Sequence, residues 1–567
     1  MKKIKFEDSL RIYSWNIGIL FLLMLFYLIN LSVIMHFFHV PISRLYLPLA
    51  VLGSFISLFF LRKKEKTQTF ISFLIFILLF LLFILLTGLI YSNGWDENAY
   101  HKIAVGFLKN GWNPFYESSD DFRTFYFHNS EVSSGSPWTD CYGKATWYIA
   151  ASIYKWTNNI ECGKSYNLIG FLLVFLFSFY FFDTHFKGKF IKNISISWFI
   201  AMNPVVITQL FSYYVDGFMG AMLFILLLGL IMMLDENFDP RDTWVIIFPS
   251  MCILGNIKFT GLAYGGIFCI IFYIYSIIRK HRDIKFIKQN LVNFMATALF
   301  AIFITGSPTY VTNFFKYSNP LYPILGKNKI DIITQNSPMG FQNKSVFFKL
   351  FYSLFGITKD HSYDNTPYPL PKLKVPFTTS LSEMKSCFGL DIRIAGFGVF
   401  FSGLLIISAI IVIVYFIKKI KSKTWAQSDT FLFAFLVSIL LLLIIIQDSW
   451  WARYSPYAYL LVIFPIVICF YFAPAKKGNF ITIFLLVLLF NNALWLHTSA
   501  FYLKNSSRIN QELNSLTNQS IEVINEINFP GILFNLEDHN IKYKVVFDES
   551  VSGESTIYYG MLSYTKK

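Results

Sequence analysis

Long unbroken apolar runs constrain this chain more than any other feature. Eight or more extend for about 18 residues or longer, among them 70–90 and 399–417. About 20 such residues in a helix cross a hydrocarbon core of ~30 Å, and a soluble fold could not cover that much apolar surface. Only 14% of the residues are charged, against roughly 25% in soluble domains. The sequence therefore predicts an all-α polytopic membrane protein.

A net charge of +15 would suggest nucleic acid if the chain were soluble. Its distribution argues otherwise. The short polar spans 1–13, 62–66, 183–192, 235–242, 279–288, 418–423 and 476–477 together carry +14, whereas the long spans 92–165, 309–394 and the tail from 500 carry −2, +5 and −2. Basic residues on short loops face the cytoplasm, so most of the excess is a topology signal and no nucleic-acid partner is expected. With Lys192 and Arg279 on the same side, an even number of crossings must separate them, yet only three apolar stretches do. The 35-residue stretch 244–278 would be about 52 Å long as one helix. It is read as two helices broken at Asn256-Ile257-Lys258.

About 13 crossings result, with the N-terminus cytoplasmic and the C-terminus outside. Residues 1–499 form the membrane domain, with outer loops at about 92–165 and 309–394. Residues 500–567 form a small α+β appendage, with a helix over about 506–526 and strands at 542–547 and 556–562. The first apolar run, Ile17 to Val33, has no small-residue cleavage site behind it and is expected to be retained. The six cysteines show no CxxC and no metal-ligand spacing with His. Cys141 and Cys162 share the first outer loop, where a disulfide and two free thiols are both open. No cofactor site is legible, and one Asp-Glu pair is too little to assign a divalent metal.

That pair, Asp96-Glu97, stands at the outer end of the third helix. Tyr100, Ile103, Ala104, Phe107 and Leu108 follow at helical spacing with Lys102 and Lys109 off the stripe, which predicts an amphipathic helix lying in the interface. Asp96 or Asn98 would cap it. Trp95-Asp96-Glu97 followed by such a helix and by Gly111-Trp112-Asn113-Pro114-Phe115-Tyr116 resembles the first outer loop of GT-C fold glycosyltransferases, polytopic enzymes that use polyprenyl-phosphate sugars. Further segments are similar to bacterial members in the same order: Tyr142-Gly143-Lys144, Asn203-Pro204, Tyr213-Tyr214-Val215-Asp216-Gly217, Asn256-Ile257-Lys258-Phe259-Thr260-Gly261, Tyr317-Ser318-Asn319-Pro320-Leu321-Tyr322-Pro323 and Ala452-Arg453-Tyr454. The resemblance covers about residues 70–470.

The resemblance implies an inverting transfer at the outer face of a bacterial inner membrane. The donor is a polyprenyl-phosphate-linked sugar, and the acceptor is an envelope glycan, lipid or protein. An acidic residue of the first loop is the general base: Asp96, with Glu97 as second choice. The chemistry fits a carboxylate, because the acceptor hydroxyl must lose a proton as it attacks.

The leaving lipid phosphate needs cations at membrane level. Lys258, Arg453, Arg393 and Lys144 are the candidates. Against these roles stand snorkelling of Lys258, an interfacial anchor at Trp450-Trp451 with an Asp448–Arg453 pair, an Arg393–Asp391 pair, and a solvated helix start at Lys144. Asp216, Tyr214 and His101 are candidates for contact with the sugar or acceptor, Asp216 otherwise being a turn residue and His101 a polar-face histidine. The alternatives at the level of function are a lipid-linked oligosaccharide flippase or other transporter, and a polymerase or ligase of whole glycan units on the same fold.

Overall fold

The structure, a computed structural model, describes residues 2–359, 369–472, 478–524, 528–547, 553 and 555–566. Among the described residues, nine helices are long and apolar enough to cross a membrane: Glu7–Phe37, Lys66–Gly88, Ile160–His185, Asp216–Met233, Phe259–Arg279, Ile284–Thr305, Phe401–Lys421, Gln427–Ile445 and Phe480–Ser515. The other four runs read as crossings form shorter helices: Tyr46–Leu61, Phe190–Ala201, Pro240–Gly255 and Pro456–Phe472. At 1.5 Å per residue, 16 residues reach only about 24 Å. The basic pair Lys476-Lys477 lies outside the described residues.

Two runs end where the sequence supplies a reason. The stretch 194–213 is divided at Asn203-Pro204, with a helix to Ala201 and a separate short one at Pro204–Thr208. A residue before proline is pushed out of the helical region, and Asn203 at φ −54°, ψ 126° obeys this while its side chain accepts from the Val205 N–H. The stretch 244–278 breaks at 256–258, as charge parity predicts.

Burial separates a central group of helices from a peripheral one. The apolar window of Asp216–Met233 is 89% buried inside the protein and that of Glu7–Phe37 83%, against 17% for Ile284–Thr305 and 28% for Lys66–Gly88. The outer helices present Leu, Ile and Phe side chains that lipid tails must cover.

The long span after residue 92 folds into helices Lys102–Asn110, Ser119–Phe127 and Ala145–Thr157. The tail forms β1 (Ser520–Ile524), β2 (Lys542–Val546), β3 (Ser555–Ile557) and β4 (Leu562–Lys566), in the order β2-β1-β4-β3 with β1 parallel to β2 and the other pairs antiparallel. Two expectations are corrected here. The tail helix runs over Leu496–Ser515 and does not continue to 526, because Asn518 takes a left-handed φ of 63° and Ile521 and Val523 then alternate into a strand. The predicted strand 556–562 is a hairpin, with β3 and β4 on either side of a turn.

The tail is docked against the first loop through its short helix Leu533–Asp538. A Cβ on Gly106 would come within 2.2 Å of the Phe534 ring, Tyr154 donates to Asp538 at 2.6 Å, and the Ile160 N–H donates to the same carboxylate at 2.7 Å. Helix Lys102–Asn110 is consequently buried on nearly every side, Lys102 included. It does not lie in the interface as its stripe suggests. The packing partners that cover its polar face come from the far end of the chain.

Candidate functional site

Four segments meet at one end of the bundle. Asp96 follows helix Lys66–Gly88, Asp216 opens Asp216–Met233, Lys258 stands in the break before Phe259–Arg279, and Arg453 lies in the 3-10 turn Ala452–Tyr454 beyond Gln427–Ile445. The opposite ends of these helices adjoin the short charged spans at 62–66, 235–242, 279–288 and 418–423. Chain connectivity therefore sets the cluster at the end away from these short charged spans.

Arg453 is the hub. Its Nη1 donates to Asp96 Oδ2 at 2.9 Å, its Nε lies 3.1 Å from Asp391 Oδ1, and Asp216 Oδ2 is 3.9 Å away. Lys258 Nζ donates to the other Asp216 oxygen at 2.6 Å. Three rings flank the guanidinium, with centroids 4.7 Å (Trp451), 5.2 Å (Tyr454) and 5.7 Å (Tyr214) from its central carbon. The Asp96 N–H donates to the Tyr214 hydroxyl at 3.4 Å, and Trp451 Nε1 donates to Asp391 at 2.7 Å. Arg393 completes the group at 3.6 Å from Asp391, over the Trp451 ring. Three carboxylates thus face three cations.

Exposure distinguishes the carboxylates. The side chain of Asp96 is 20% exposed, that of Asp391 11% and that of Asp216 1%. Burial pushes the Asp96 carboxyl up, but Arg453, Lys258 and the hydrogen bond from Arg453 outweigh it and hold the group below the usual carboxylate range. Burial wins at Asp391, which rises to about 6 despite Arg453 and Arg393. Charges buried this completely persist only when paired.

The break that delivers Lys258 is braced from both sides. Asn256 Nδ2 donates to the Cys252 and Ala301 carbonyls, its own carbonyl accepts from the Ala145 N–H at 2.9 Å, and Lys258 itself is extended at φ −148°, ψ 158°. Gly143 makes this contact possible, since a Cβ there would meet the Asn256 oxygen at 2.4 Å. Gln209, in the turn before Asp216, accepts from the Gly217 N–H at 2.7 Å and donates to the Leu390 carbonyl at 3.3 Å, joining the Asp216 and Asp391 segments.

Asp96, Asp216, Lys258, Arg393, Arg453 and Tyr214 are therefore brought together. Glu97, His101 and Lys144 have other neighbours. Glu97 accepts from Ser92 and lies 3.9 Å from Lys102, in a second buried cluster where Lys102 bonds Glu161 at 2.6 Å and Tyr558 at 2.6 Å, and Glu161 also bonds Lys164. Burial raises its carboxyl above the usual range. His101 accepts from Trp147 Nε1 at 2.8 Å, and burial lowers it to about 3, so it is a neutral packed ring. Lys144 donates hydrogen bonds to the Asp140 and Tyr142 carbonyls and is lowered by burial to about 8. It is 2% exposed, so its helix start is not solvated.

Other local expectations fail. Asp96 makes no cap bond, Trp450 and Trp451 are both 1% exposed and anchor no interface, and Arg453 pairs with Asp96 instead of Asp448. The sequence offers Asp391 only as a local partner for Arg393 and marks no site role for Tyr454 or Trp451. The Asp391-Ile392-Arg393 spacing is the signal it carries. Cys141 and Cys162 are both free. Among the described residues, no three His, Cys, Asp or Glu side chains are grouped to hold a metal ion. The chain matches no protein-family model, no curated protein and no solved structure.

Proposed function

We propose that this protein is an inverting glycosyltransferase of the GT-C type, moving a sugar from a polyprenyl-phosphate donor to an envelope glycan, lipid or protein acceptor. The reading has it in a bacterial inner membrane with the Asp96 end outside. The observation that carries it is the pairing of Asp96, the most exposed of three clustered carboxylates, with Arg453.

In this reading Asp96 accepts the proton of the acceptor hydroxyl as its oxygen bonds the anomeric carbon. The bond from that carbon to the donor phosphate breaks with its electron pair leaving on the phosphate, and configuration inverts. Arg453 and Lys258 receive the released charge. Both cations already hold carboxylates, so the phosphate enters by exchange. It replaces Asp96 on Arg453, and Asp96, relieved of its strongest cation, becomes a better base at the moment the donor is bound. Glu97 is set aside because its partners are Ser92 and Lys102.

The flippase alternative draws only on the break at Lys258, and Lys258 is bonded to Asp216 in this same cluster. The test is transfer by purified, reconstituted protein from a polyprenyl-phosphate sugar. Wild-type protein forms a glycosidic product that Asp96→Asn does not. Lipid translocation with no glycosidic product would reverse the assignment, and a ladder of products on a gel would make it a polymerase.

A further inference from the structure

At the opposite end of the bundle, a cleft of about 540 Å³ opens between six helices. Its walls are apolar, formed by Phe181, Phe224, Leu228, Phe431 and Phe464, and its mouth carries His185, Asp235, Glu236, Arg279 and Lys280. It follows the helix Asp216–Met233 from Phe224 to its end, about 14 Å, and Asp235 at the mouth lies just beyond. That length is close to one leaflet, half of a ~30 Å hydrocarbon core.

The polar groups at the mouth are unevenly satisfied. His185 meets Asp235 and Lys280 meets Glu236, both at 2.7 Å. Arg279, half-buried, makes no hydrogen bond or ion pair among the described residues. One turn earlier on the same face, the Tyr275 hydroxyl is buried and has no partner. Both are donors. A buried donor without an acceptor is costly, and two side by side at i, i+4 call for one acceptor with several oxygens.

We propose that the cleft binds an anionic phospholipid of the adjacent leaflet, with an acyl chain along the Phe and Leu walls and its phosphodiester accepting from Arg279 and Tyr275. A guanidinium matches phosphate oxygens in a two-pronged geometry, and basic pockets between membrane helices are a recurrent setting for anionic headgroups. Of the two Lys/Arg side chains at the mouth, Lys280 is held by Glu236, and Arg279 is the one left for a phosphate among the described residues. The site lies across the bundle from Asp96 and is independent of the reaction there.

The experiment is native mass spectrometry of full-length protein, delipidated in neutral detergent and then offered phosphatidylglycerol or phosphatidylcholine. Wild-type protein retains phosphatidylglycerol preferentially. Arg279→Gln combined with Tyr275→Phe reduces its retention by about 10-fold or more. Leu228→Trp, which fills the cleft and leaves the mouth intact, also removes it. Lys285→Gln with Lys288→Gln, on the same basic span but outside the cleft, leaves it unchanged. Equal retention of the two lipids, wild-type retention by the Arg279/Tyr275 variant, or an equal loss in the Lys285/Lys288 control would each overturn the proposal.

Discussion

Replacing Asp96 by Asn should slow transfer and at the same time tighten donor binding. The amide keeps an oxygen that can accept from Arg453 at the present 2.9 Å, so the fold should hold and the unfolding midpoint should barely move. The variant cannot take a proton, and loss of a positioned general base lowers turnover by about 10²–10⁴-fold. Arg453 gains, because one of its three carboxylates becomes neutral. A charge-assisted hydrogen bond is worth about 1.5–3 kcal/mol. With Asp96 20% exposed, solvent screening brings the competition removed to about 1–2 kcal/mol, or about 5–30-fold tighter binding of a lipid phosphate. Single-turnover transfer and equilibrium binding of polyprenyl phosphate alone measure the two effects separately. Wild-type turnover in the variant would refute Asp96 as base, and weaker phosphate binding would refute its competition for Arg453.

Three further outcomes are expected. Lys102→Met leaves Glu97 and Glu161 sharing Lys164 in a fully buried cluster and should destabilise the protein by about 3–5 kcal/mol, measured by denaturant unfolding. Adding Glu161→Gln should recover part of that loss. Asp391 is raised to about 6 from an ordinary value of about 3.9. Between these values the folded chain holds a proton that the unfolded chain gives up, so stability falls as pH rises from about 4 to 6, by up to about 3 kcal/mol, and is level above 6. Unfolding titrations of Asp391→Asn should lack that slope. Gly143→Ala drives a Cβ into the Asn256 carbonyl at 2.4 Å. It should displace the Lys258 segment and lower transfer more than it lowers expression.

Much of the membrane architecture was legible because hydropathy and proline act locally. The nine long helices coincide with apolar runs, and the polar insertion at 256–258 breaks the longest of them where charge parity requires. The tail misled for the same local reason. Ile521 and Ile524 extend a helical stripe, but Asn518 ends the helix and the residues beyond it complete a sheet. Helix Lys102–Asn110 reads as interfacial from its own residues and is buried by Phe534 and Tyr558, more than 400 positions away.

By itself, the sequence determined that this chain builds apolar helices of membrane length and that Asp96, Asp216, Lys258 and Arg453 stand at helix ends. Tertiary structure alone decided how those charges pair. Arg453 passes over nearby Asp448 for Asp96, 357 residues distant, and Asp391 joins the same hub. The adjacent residues Asp96 and Glu97, about 100° apart around a helical turn, enter different buried clusters. Desolvation makes each buried charge seek an opposite one in space, and sequence separation carries no information about which one packing will bring within reach.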